Sequence, residues 1–456
     1  MTSYSKISSI NQEVLTGSSK LSSTQGPAFD KHSFMIENME DNRAFKNYLN
    51  DNKDKDKNQA LKDFKNSYKD YRYKWHAQPN KIYEQGYDNF IKNKNNIFPL
   101  CVDIEIASIC DLACPHCFRE YIITPDKIIN ELFFYDIIDQ INHLKIPSIK
   151  LNWRGEPLLH PKIAKFIEYA KKKNILDVSI NTNATNLNEK KAEELISSGL
   201  DQIIYSFDGG SKKTYEKMRP GRFKKNNFED VYENIKNFKK IRDKFNSKFP
   251  ITKIQMILTE DSRNEVQNFY ALFSDYVDDV TVTQYNERGG NIEDIDEEKR
   301  KYIKNYLKNK NLSEATPYIV DVNNNIFISS GRISCEQLFQ RMMITYDGQV
   351  GMCCHDWGAQ HCIGFLSKEA FEFDETILDL EKKIDSSKKG FELLINAKKP
   401  KKYNVPKKEI SKLIDVWIGS ELNKVRKSHF DPKNIDGVNI CKGCSFKDTY
   451  EWLQIK

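Results

Sequence analysis

Short apolar runs alternate with amphipathic stretches between Phe98 and about residue 290. The amphipathic stretches have helical spacing and the apolar runs have strand length, a rhythm that predicts a parallel β-sheet covered by helices. The predicted strands are 101–107, 148–153, 177–181, 202–207, 251–258 and 279–284. The predicted helices are 126–144, 162–173, 188–198, 228–246 and 262–276. Six units are too few for a closed eight-stranded barrel, so we expect an α/β fold in the form of a partial (β/α)6 TIM-like barrel.

The segments on either side of this barrel (98–290) have other patterns. Residues 1–97 form a polar leader in which apolar and aromatic residues at helical spacing predict one helix, over 60–75, lying on the barrel. Residues 291–334 are interpreted as a connector to a small second domain at 335–456. In that domain, Asp347-Gly348 between two apolar runs predicts a β-hairpin. The other features expected there are a Lys-rich surface insertion at 367–410 and a helix at 411–428.

Composition excludes some classes of protein. The 456 residues contain 71 Lys and Arg against 65 Asp and Glu, a net charge of +6, which is too mild to make nucleic acid the expected partner. No run of about 18 apolar residues exists, so we expect no membrane span. The amino-terminal sequence lacks the apolar segment of a secretory signal, and we therefore expect a cytoplasmic protein.

The ten cysteines lie mostly in close groups. A secreted, disulfide-stabilised chain would be short and dense in cysteine, which this one is not. Close spacing in a reducing compartment instead indicates metal ligands. Two cysteines, Cys101 and Cys362, stand outside the groups and are interpreted as small buried apolar residues.

The first group, Cys110, Cys114 and Cys117, directly follows the first predicted strand. It is therefore expected at the carboxyl end of the sheet, where α/β folds build their active sites. Three thiolates on one loop can hold a [4Fe–4S] cluster and leave one iron open to a substrate or cofactor. The alternatives are a zinc site completed by His116 or a distant residue, and buried thiols without a metal.

This group resembles the C-x3-C-x2-C motif of radical S-adenosylmethionine (SAM) enzymes, with His116 in the place of the family's aromatic residue. Trp153-Arg154-Gly155-Glu156-Pro157 is similar to the family's Gly-Gly-Glu-Pro motif, with Arg154 in place of the first glycine. A carboxylate suits the methionine ammonium, and a glycine allows close approach of the backbone. The resemblance implies that SAM is bound by His116, Gly155, Glu156, Asn181, Asn183, Ser206, Asp208 and Arg219.

Each of these polar residues also has an ordinary structural alternative. Short polar side chains at strand ends are good helix caps, Gly155-Glu156 could be a simple turn, and Arg219 could form an exposed salt bridge. The resemblance implies that one electron from a flavodoxin- or ferredoxin-type donor cleaves SAM, and that the resulting 5′-deoxyadenosyl radical removes a hydrogen atom from the substrate. Cys362 is then a candidate donor that returns a hydrogen atom to the substrate radical.

The second group combines a cysteine, a hairpin ending in two adjacent cysteines, and a carboxyl-terminal C-x2-C pair. This order resembles the SPASM/twitch auxiliary domains of radical SAM enzymes and implies one auxiliary [4Fe–4S] cluster, with structural zinc as the alternative. Four thiolates leave no open iron, which favours electron transfer. Of the two adjacent cysteines, Cys353 is preferred over Cys354 as the ligand. The candidate ligands are Cys335, Cys353 or Cys354, Cys441 and Cys444.

The substrate does not follow from these residues. The resemblance favours oxidation or epimerisation of a small carbohydrate-type molecule, with surface-polysaccharide synthesis as the expected context and maturation of a ribosomal peptide as the alternative. Residues 285–288, just past the last predicted strand, are candidates for contacting it. A non-catalytic zinc-binding module that uses its lysines on an acidic partner is the remaining hypothesis.

Overall fold

The chain is described from a computed structural model that covers residues 29–120, 122, 124–285, 295–371, 404–444 and 446–456. Its strands form one nine-stranded and one three-stranded sheet. In chain order they are β1 (Cys101–Ile104), β2 (Ser148–Lys150), β3 (Asp177–Thr182), β4 (Gln202–Ser206), β5 (Ile251–Leu258), β6 (Asp279–Gln284), β7 (Tyr318–Val320), β8 (Ile326–Arg332), β9 (Arg341–Ile344), β10 (Gln349–Gly351), β11 (Cys362–Phe365) and β12 (Tyr450–Gln454).

Helices surround the large sheet and continue into both flanking regions. None in the described part of the chain is long and apolar enough to span a bilayer. The helices are α1 (Lys31–Glu37), α2 (Arg43–Asp51), α3 (Lys57–Gln85), α4 (Tyr87–Asn93), α5 (Glu131–His143), α6 (Ile163–Lys172), α7 (Glu189–Ser198), α8 (Lys212–Met218), α9 (Phe228–Lys244), α10 (Glu260–Arg263), α11 (Val266–Phe273), α12 (Glu297–Asn309), α13 (Gln337–Gln340), α14 (Leu413–Trp417), α15 (Ser420–Ser428) and α16 (Asn439–Lys442).

Strands β1 to β6 lie side by side in chain order, and every neighbouring pair is parallel. Parallel neighbours require a crossover, and α5, α6, α7, α9 and α11 supply them by packing on the sheet. All four residues of β1 are buried, as expected for a strand with both faces covered. The predicted α/β class and the six predicted strands are confirmed, and the sheet of the described residues is open.

The amino-terminal helices close the end of the barrel where the strands begin. Met35 of α1, with Tyr68 and Trp75 of α3, packs in one buried cluster against Cys101 and Ile251, the first residues of β1 and β5. The predicted helix over 60–75 therefore lies on the barrel, although α3 is longer, and three further helices accompany it. Cys101 belongs to this cluster and is 5% exposed, as expected for a small buried apolar residue.

The carboxyl-terminal region continues the same sheet. Strand β9 pairs in parallel with β1, so that Cys101 lies opposite Arg341 and Ile104 opposite Ile344. Strands β10 and β11 follow in antiparallel order. The predicted hairpin around Asp347 is thus present, but it extends the barrel sheet from its β1 edge.

Two predictions about the flanking segments need correction. The predicted single helix at 411–428 is two helices, α14 and α15, because the chain turns at Ile418 and Gly419. The predicted connector contains α12 and the strands β7 and β8, and β8 pairs with β12 to form the small sheet. Residues 1–28, 286–294 and 372–403, the last forming most of the Lys-rich insertion, lie outside the described residues.

Candidate active site

The loop that carries Cys110, Cys114 and Cys117 follows β1 and is fixed to the segment after α8. The amide of Ala113 donates to the Pro220 carbonyl at 2.9 Å, and Leu112 and Gly221 form an isolated antiparallel bridge. The loop therefore has backbone hydrogen bonds on its inner side, which hold the three thiols over the carboxyl ends of the strands.

Asp111, inside the cysteine motif, joins this loop to the end of β3. One of its carboxylate oxygens accepts from Asn183 Nδ2 at 2.8 Å. The other accepts from Thr185 Oγ1 at 2.5 Å and from Asn186 Nδ2 at 2.9 Å. A carboxylate with three donors is held in one orientation, so Asp111 fixes Cys110 relative to the third strand.

Glu156 lies at the end of β2 and faces the same strand end. It is 2% exposed, and its carboxylate accepts from Thr182 Oγ1 at 2.7 Å and from the amides of Leu158 and Asn183 at 3.0 and 2.8 Å. Burial, and then the charge of Asp111, raises the pKa of Glu156 to about 7. A cation bound near the Glu156 carboxyl would therefore stabilise its ionised form.

The backbone before Glu156 requires glycine. A Cβ on Gly155 would lie 2.3 Å from the carbonyl oxygen of Ala107 and 2.5 Å from that of Ile109. The two chains approach so closely that no side chain fits between them. The glycine thereby brings Glu156 against the cysteine loop, where its amide donates to the Ile109 carbonyl at 2.8 Å.

Asp208, just past β4, is fully buried between two cationic or protonatable side chains. Its Oδ2 is 2.7 Å from Arg219 Nη2 and 3.2 Å from His116 Nε2. The amide of Ile257 donates to its Oδ1 at 2.8 Å. Arg219 and His116 hold the pKa of Asp208 well below its usual range despite burial. Arg219 is only 6% exposed, so its interpretation as an exposed salt bridge is wrong.

The residues around the three thiols fit a SAM-binding cluster. Asn183 Nδ2 lies 4.0 Å from Cys110 Sγ, and Arg219 Nη1 lies 4.0 Å from Cys114 Sγ. Among the described residues, buried His116 Nδ1, Arg219 Nε and Asn181 Oδ1 have no hydrogen-bond partner. Such atoms carry a desolvation cost unless a ligand satisfies them, and together they offer donors and an acceptor to a polar cofactor. Ser206, the last residue of β4, is half-buried on the same edge.

The second cysteine group surrounds a cavity whose walls come from three chain segments. The space between the atoms, counting its opening to solvent, is about 370 Å³. Cys335, Cys353, Cys441 and Cys444 line it, together with apolar side chains. In the described part of the chain, no three His, Cys, Asp or Glu side chains converge as they would around one metal ion. A four-iron cluster binds each thiolate through a different iron, so four thiols around a cavity suit it better than they suit one zinc ion.

Cys354 differs from its neighbour Cys353. It is not among the lining residues of the cavity, and its Sγ lies 3.6 Å from Gln337 Oε1. Its carbonyl accepts from Trp153 Nε1 at 3.1 Å. The backbone of Cys354 therefore joins the second site to the strand end that precedes Gly155 and Glu156.

An aromatic stack and a buried ion pair strengthen that junction. The rings of Trp153 and Trp357 are stacked, with centroids 5.5 Å apart and planes at 13°. Arg154 lies over the Trp153 ring and forms a bidentate pair with Glu105, through bonds of 2.6 and 2.7 Å. Where the family motif has a glycine, this chain thus has an arginine whose charge is matched by a carboxylate just after β1.

Cys362 lies at the start of β11 in a small apolar cluster with Phe365 and Ala370, and it is 2% exposed. Its Sγ is 3.3 Å from the Gly364 carbonyl oxygen. Its role as a hydrogen-atom donor stays a prediction. Tyr285 is the described member of the predicted substrate-contacting segment, and the rest of that segment lies outside the described residues.

Sequence reasoning did not find several residues that organise the two sites. Asp111 was inside the recognised motif, and a polar residue between metal ligands is a signal that could have been used. The pairing of Arg154 with Glu105, the Trp153–Trp357 stack and His429 in the second cavity join segments far apart in sequence. A local sequence pattern cannot predict such contacts.

Part of the chain is similar in sequence to known radical SAM proteins. Residues 104–273 match the sequence profile of the Radical SAM superfamily. Over 191 residues the chain is 22% identical to the mycofactocin maturase MftC of Mycolicibacterium smegmatis, which covers 42% of this chain and 46% of the relative. Over 108 residues it is 30% identical to the tungsten-containing aldehyde ferredoxin oxidoreductase cofactor-modifying protein of Pyrococcus furiosus, which covers 23% of this chain and 30% of the relative.

The chain thus spans less than half the length of these curated relatives. Among solved structures, Streptococcus suis SuiB bound to S-adenosylmethionine matches with a TM-score of 0.46 and 17% identity, over 73% of this chain and 69% of that one.

Proposed function

We propose that the chain is a radical SAM enzyme that binds SAM at the carboxyl ends of β1 to β4 and removes a hydrogen atom from an organic substrate, because residues 104–273 match the Radical SAM superfamily. The main observation behind the proposal is that the three-cysteine loop, Glu156 and Asp208 all lie at the carboxyl ends of the parallel strands. The [4Fe–4S] cluster and SAM of this family, when bound, supply a 5′-deoxyadenosyl radical that abstracts hydrogen.

In this proposal the chain's own residues bind and orient. Cys110, Cys114 and Cys117 hold the cluster, and Asp111 fixes their loop. Glu156 accepts from the methionine ammonium, because it is a buried carboxylate with no cation of its own among its hydrogen-bond partners. The unpartnered atoms of His116, Arg219 and Asn181 supply further polar contacts to the cofactor. The proposed SAM site is completed by Gly155, Asn183, Ser206 and Asp208.

We further propose one auxiliary [4Fe–4S] cluster in the cavity of the second cysteine group. Cys335, Cys353, Cys441 and Cys444 line that cavity, whereas Cys354 does not. A cluster held by four thiolates supplies electron transfer. That function suits an oxidation or an electron relay from a flavodoxin- or ferredoxin-type donor.

For the substrate, maturation of a peptide is favoured over modification of a carbohydrate. One matched relative is named a maturase and the other a cofactor-modifying protein, and neither name refers to a carbohydrate substrate. The expected carbohydrate-type substrate therefore has no support from these two relatives. It is retained here as the second substrate class of the test below.

The test begins with iron, sulfide and zinc per chain after anaerobic purification and reconstitution. We expect about eight iron in the wild type. The Cys110/Cys114/Cys117→Ala variant and the Cys335/Cys353/Cys441/Cys444→Ala variant should each retain about four. Four iron and one zinc in the wild type would contradict the auxiliary cluster, and zinc without iron would contradict the whole proposal.

The second step measures chemistry. With a reductant, the wild type should convert SAM to 5′-deoxyadenosine, and the first cysteine variant should not. Deuterium transfer from labelled substrate into 5′-deoxyadenosine then distinguishes the substrate classes, with peptide and sugar-nucleotide pools compared side by side. Transfer from sugar nucleotides alone would overturn the preference for a peptide.

A further inference from the structure

His429 lies between two of the cysteines proposed to hold the auxiliary cluster. It follows α15, is 1% exposed and lines the cavity. Its Nε2 is 3.3 Å from Cys441 Sγ, and its Nδ1 is 3.3 Å from the amide nitrogen of Cys335. One ring therefore contacts two ligand segments that are far apart in the sequence.

The contact with Cys335 determines where the ring carries its proton. A backbone amide can only donate, so Nδ1 must accept and cannot itself be protonated. The imidazole then carries its hydrogen on Nε2. That hydrogen faces Cys441 Sγ at a distance suitable for an N–H···S hydrogen bond. The backbone of one predicted ligand thus fixes the donor to another.

We propose that His429 is a positioning residue that donates its Nε2–H to the Cys441 thiolate and thereby raises the reduction potential of the auxiliary cluster. The inference rests on the proposed function, because it requires a cluster in this cavity. Reduction adds negative charge that is shared with the thiolate ligands. A hydrogen bond to a ligand sulfur therefore stabilises the reduced form more than the oxidised form.

Arg332 brings a positive charge to the same ligand. It lines the cavity, and its Nη2 donates to the Cys441 carbonyl at 2.7 Å. Its Nε is also 3.8 Å from the Asp436 carboxylate, which offsets part of that charge. The hydrogen bond from His429 to the thiolate is therefore the contribution that the variants below isolate. Easy reduction is what a centre that accepts an electron requires.

A redox titration followed by electron paramagnetic resonance tests this. We would compare wild type, His429→Phe, which removes both nitrogens, and His429→Gln, which restores an N–H donor near the Nε2 position. All three carry the Cys110/Cys114/Cys117→Ala changes, so that the signal comes from the auxiliary cluster alone. We expect a more negative midpoint potential for His429→Phe, and a potential nearer to wild type for His429→Gln.

A second readout needs no variant at position 429. In the Cys110/Cys114/Cys117→Ala background labelled with ¹⁵N-histidine, electron–nuclear double resonance should detect an exchangeable proton and a weakly coupled nitrogen near the reduced auxiliary cluster. Both should persist in His355→Gln, which removes the other histidine that lines the cavity. Loss of the cluster in His429→Phe therefore leaves the hydrogen bond open to test in the wild type.

The outcomes distinguish the proposal of an auxiliary cluster from the proposed role of His429. About four iron in the triple-alanine background together with an unchanged potential in His429→Phe, or no ¹⁵N coupling in the wild type, would overturn the role of His429 and leave the cluster standing. Absence of iron from that background would overturn the auxiliary cluster itself, and the role of His429 with it.

Discussion

At the scale of single residues, Glu156 combines two tasks that make opposite demands on its charge. As the acceptor of three hydrogen bonds it organises the ends of β2 and β3, and as the proposed partner of the methionine ammonium it must be ionised. Burial raises its pKa to about 7, so that a large fraction of the free enzyme carries a neutral Glu156 near neutral pH.

We therefore expect SAM affinity to depend on pH through Glu156. The ammonium stabilises the carboxylate, so binding releases a proton and becomes tighter as pH rises through 7. Relative to the high-pH plateau, affinity at pH 6 should be about tenfold weaker, which is the cost of ionising a group with a pKa one unit higher. Equilibrium dialysis of the reconstituted enzyme between pH 6 and pH 8 measures this. Glu156→Gln should bind more weakly at pH 8 and lose the slope from this group, and an unchanged slope in that variant would contradict the assignment.

The adjacent cysteines provide a matched pair of variants. Cys353 lines the cavity of the second group, whereas Cys354 lies outside that lining with its Sγ near Gln337. Cys353→Ala should lower the iron content by about four per chain, and Cys354→Ala should leave it unchanged. Iron and sulfide analysis of the two reconstituted variants measures the difference. The reverse result would exchange the roles of the two cysteines.

At the scale of elements, α3 shows how one helix face determines stability. Tyr68 is fully buried against the amino ends of the strands, and Tyr73 on the same helix is 73% exposed. Tyr68→Ala should lower the free energy of unfolding by about 3–5 kcal/mol, because it leaves a cavity and unpairs His32 Nδ1. Tyr73→Ala should change it by less than about 0.5 kcal/mol.

Denaturant titration of both variants measures that contrast, and the site should be intact in each. Tyr68 packs at the end of the barrel where the strands begin, whereas the three-cysteine loop lies where they end. The part of α3 that contacts the second cysteine group is further along the helix, where Tyr83 donates to the Cys335 carbonyl. Iron content at low temperature should therefore equal that of wild type in both variants. Equal stabilities of the two variants would contradict the packing of α3.

The elements that the sequence predicts well are those with a strong local period. The six parallel strands are continuous apolar runs, and α5, α6, α7, α9 and α11 have amphipathic spacing, so both sets follow from local patterns. The two helices α14 and α15 appeared as one because their apolar residues keep helical spacing across the turn at Gly419. α12 and β7 were missed because a charged surface helix and a three-residue strand carry little apolar signal.

The sequence also predicts some residues of the candidate site and misses others. The three-cysteine loop could be predicted from its fixed spacing after an apolar run, whereas the strand-end residues were named through the family resemblance. The residues that hold them in place could not be predicted, because Asp111 and His429 act through partners on other segments. Long-range contacts depend on the folded chain, which a local pattern does not contain.

At the scale of the whole molecule, the two cysteine sites share one sheet. β9 covers the β1 edge, and the Trp153–Trp357 stack and the Trp153–Cys354 hydrogen bond span the junction between the two regions. The hairpin therefore extends the barrel sheet. Val102 and Ile104 are buried in the same core as Met342, so the predicted domain boundary at residue 335 divides residues that pack together.

It follows that a chain ending at residue 334 should fail to fold as an independent SAM-binding domain. Without β9, the backbone edge of β1 is unpaired and buried apolar side chains such as Ile104 are exposed, and both features promote aggregation. Size-exclusion chromatography and SAM binding after reconstitution, compared with the full chain, measure this. The full chain with Cys335/Cys353/Cys441/Cys444→Ala is the control, because it removes the proposed second cluster while keeping β9. We expect that variant to bind SAM and to elute without aggregates, so that the loss in the shorter chain is due to the sheet. A truncated chain that elutes as a monomer and binds SAM as the full chain does would contradict the continuity of the sheet as the source of stability.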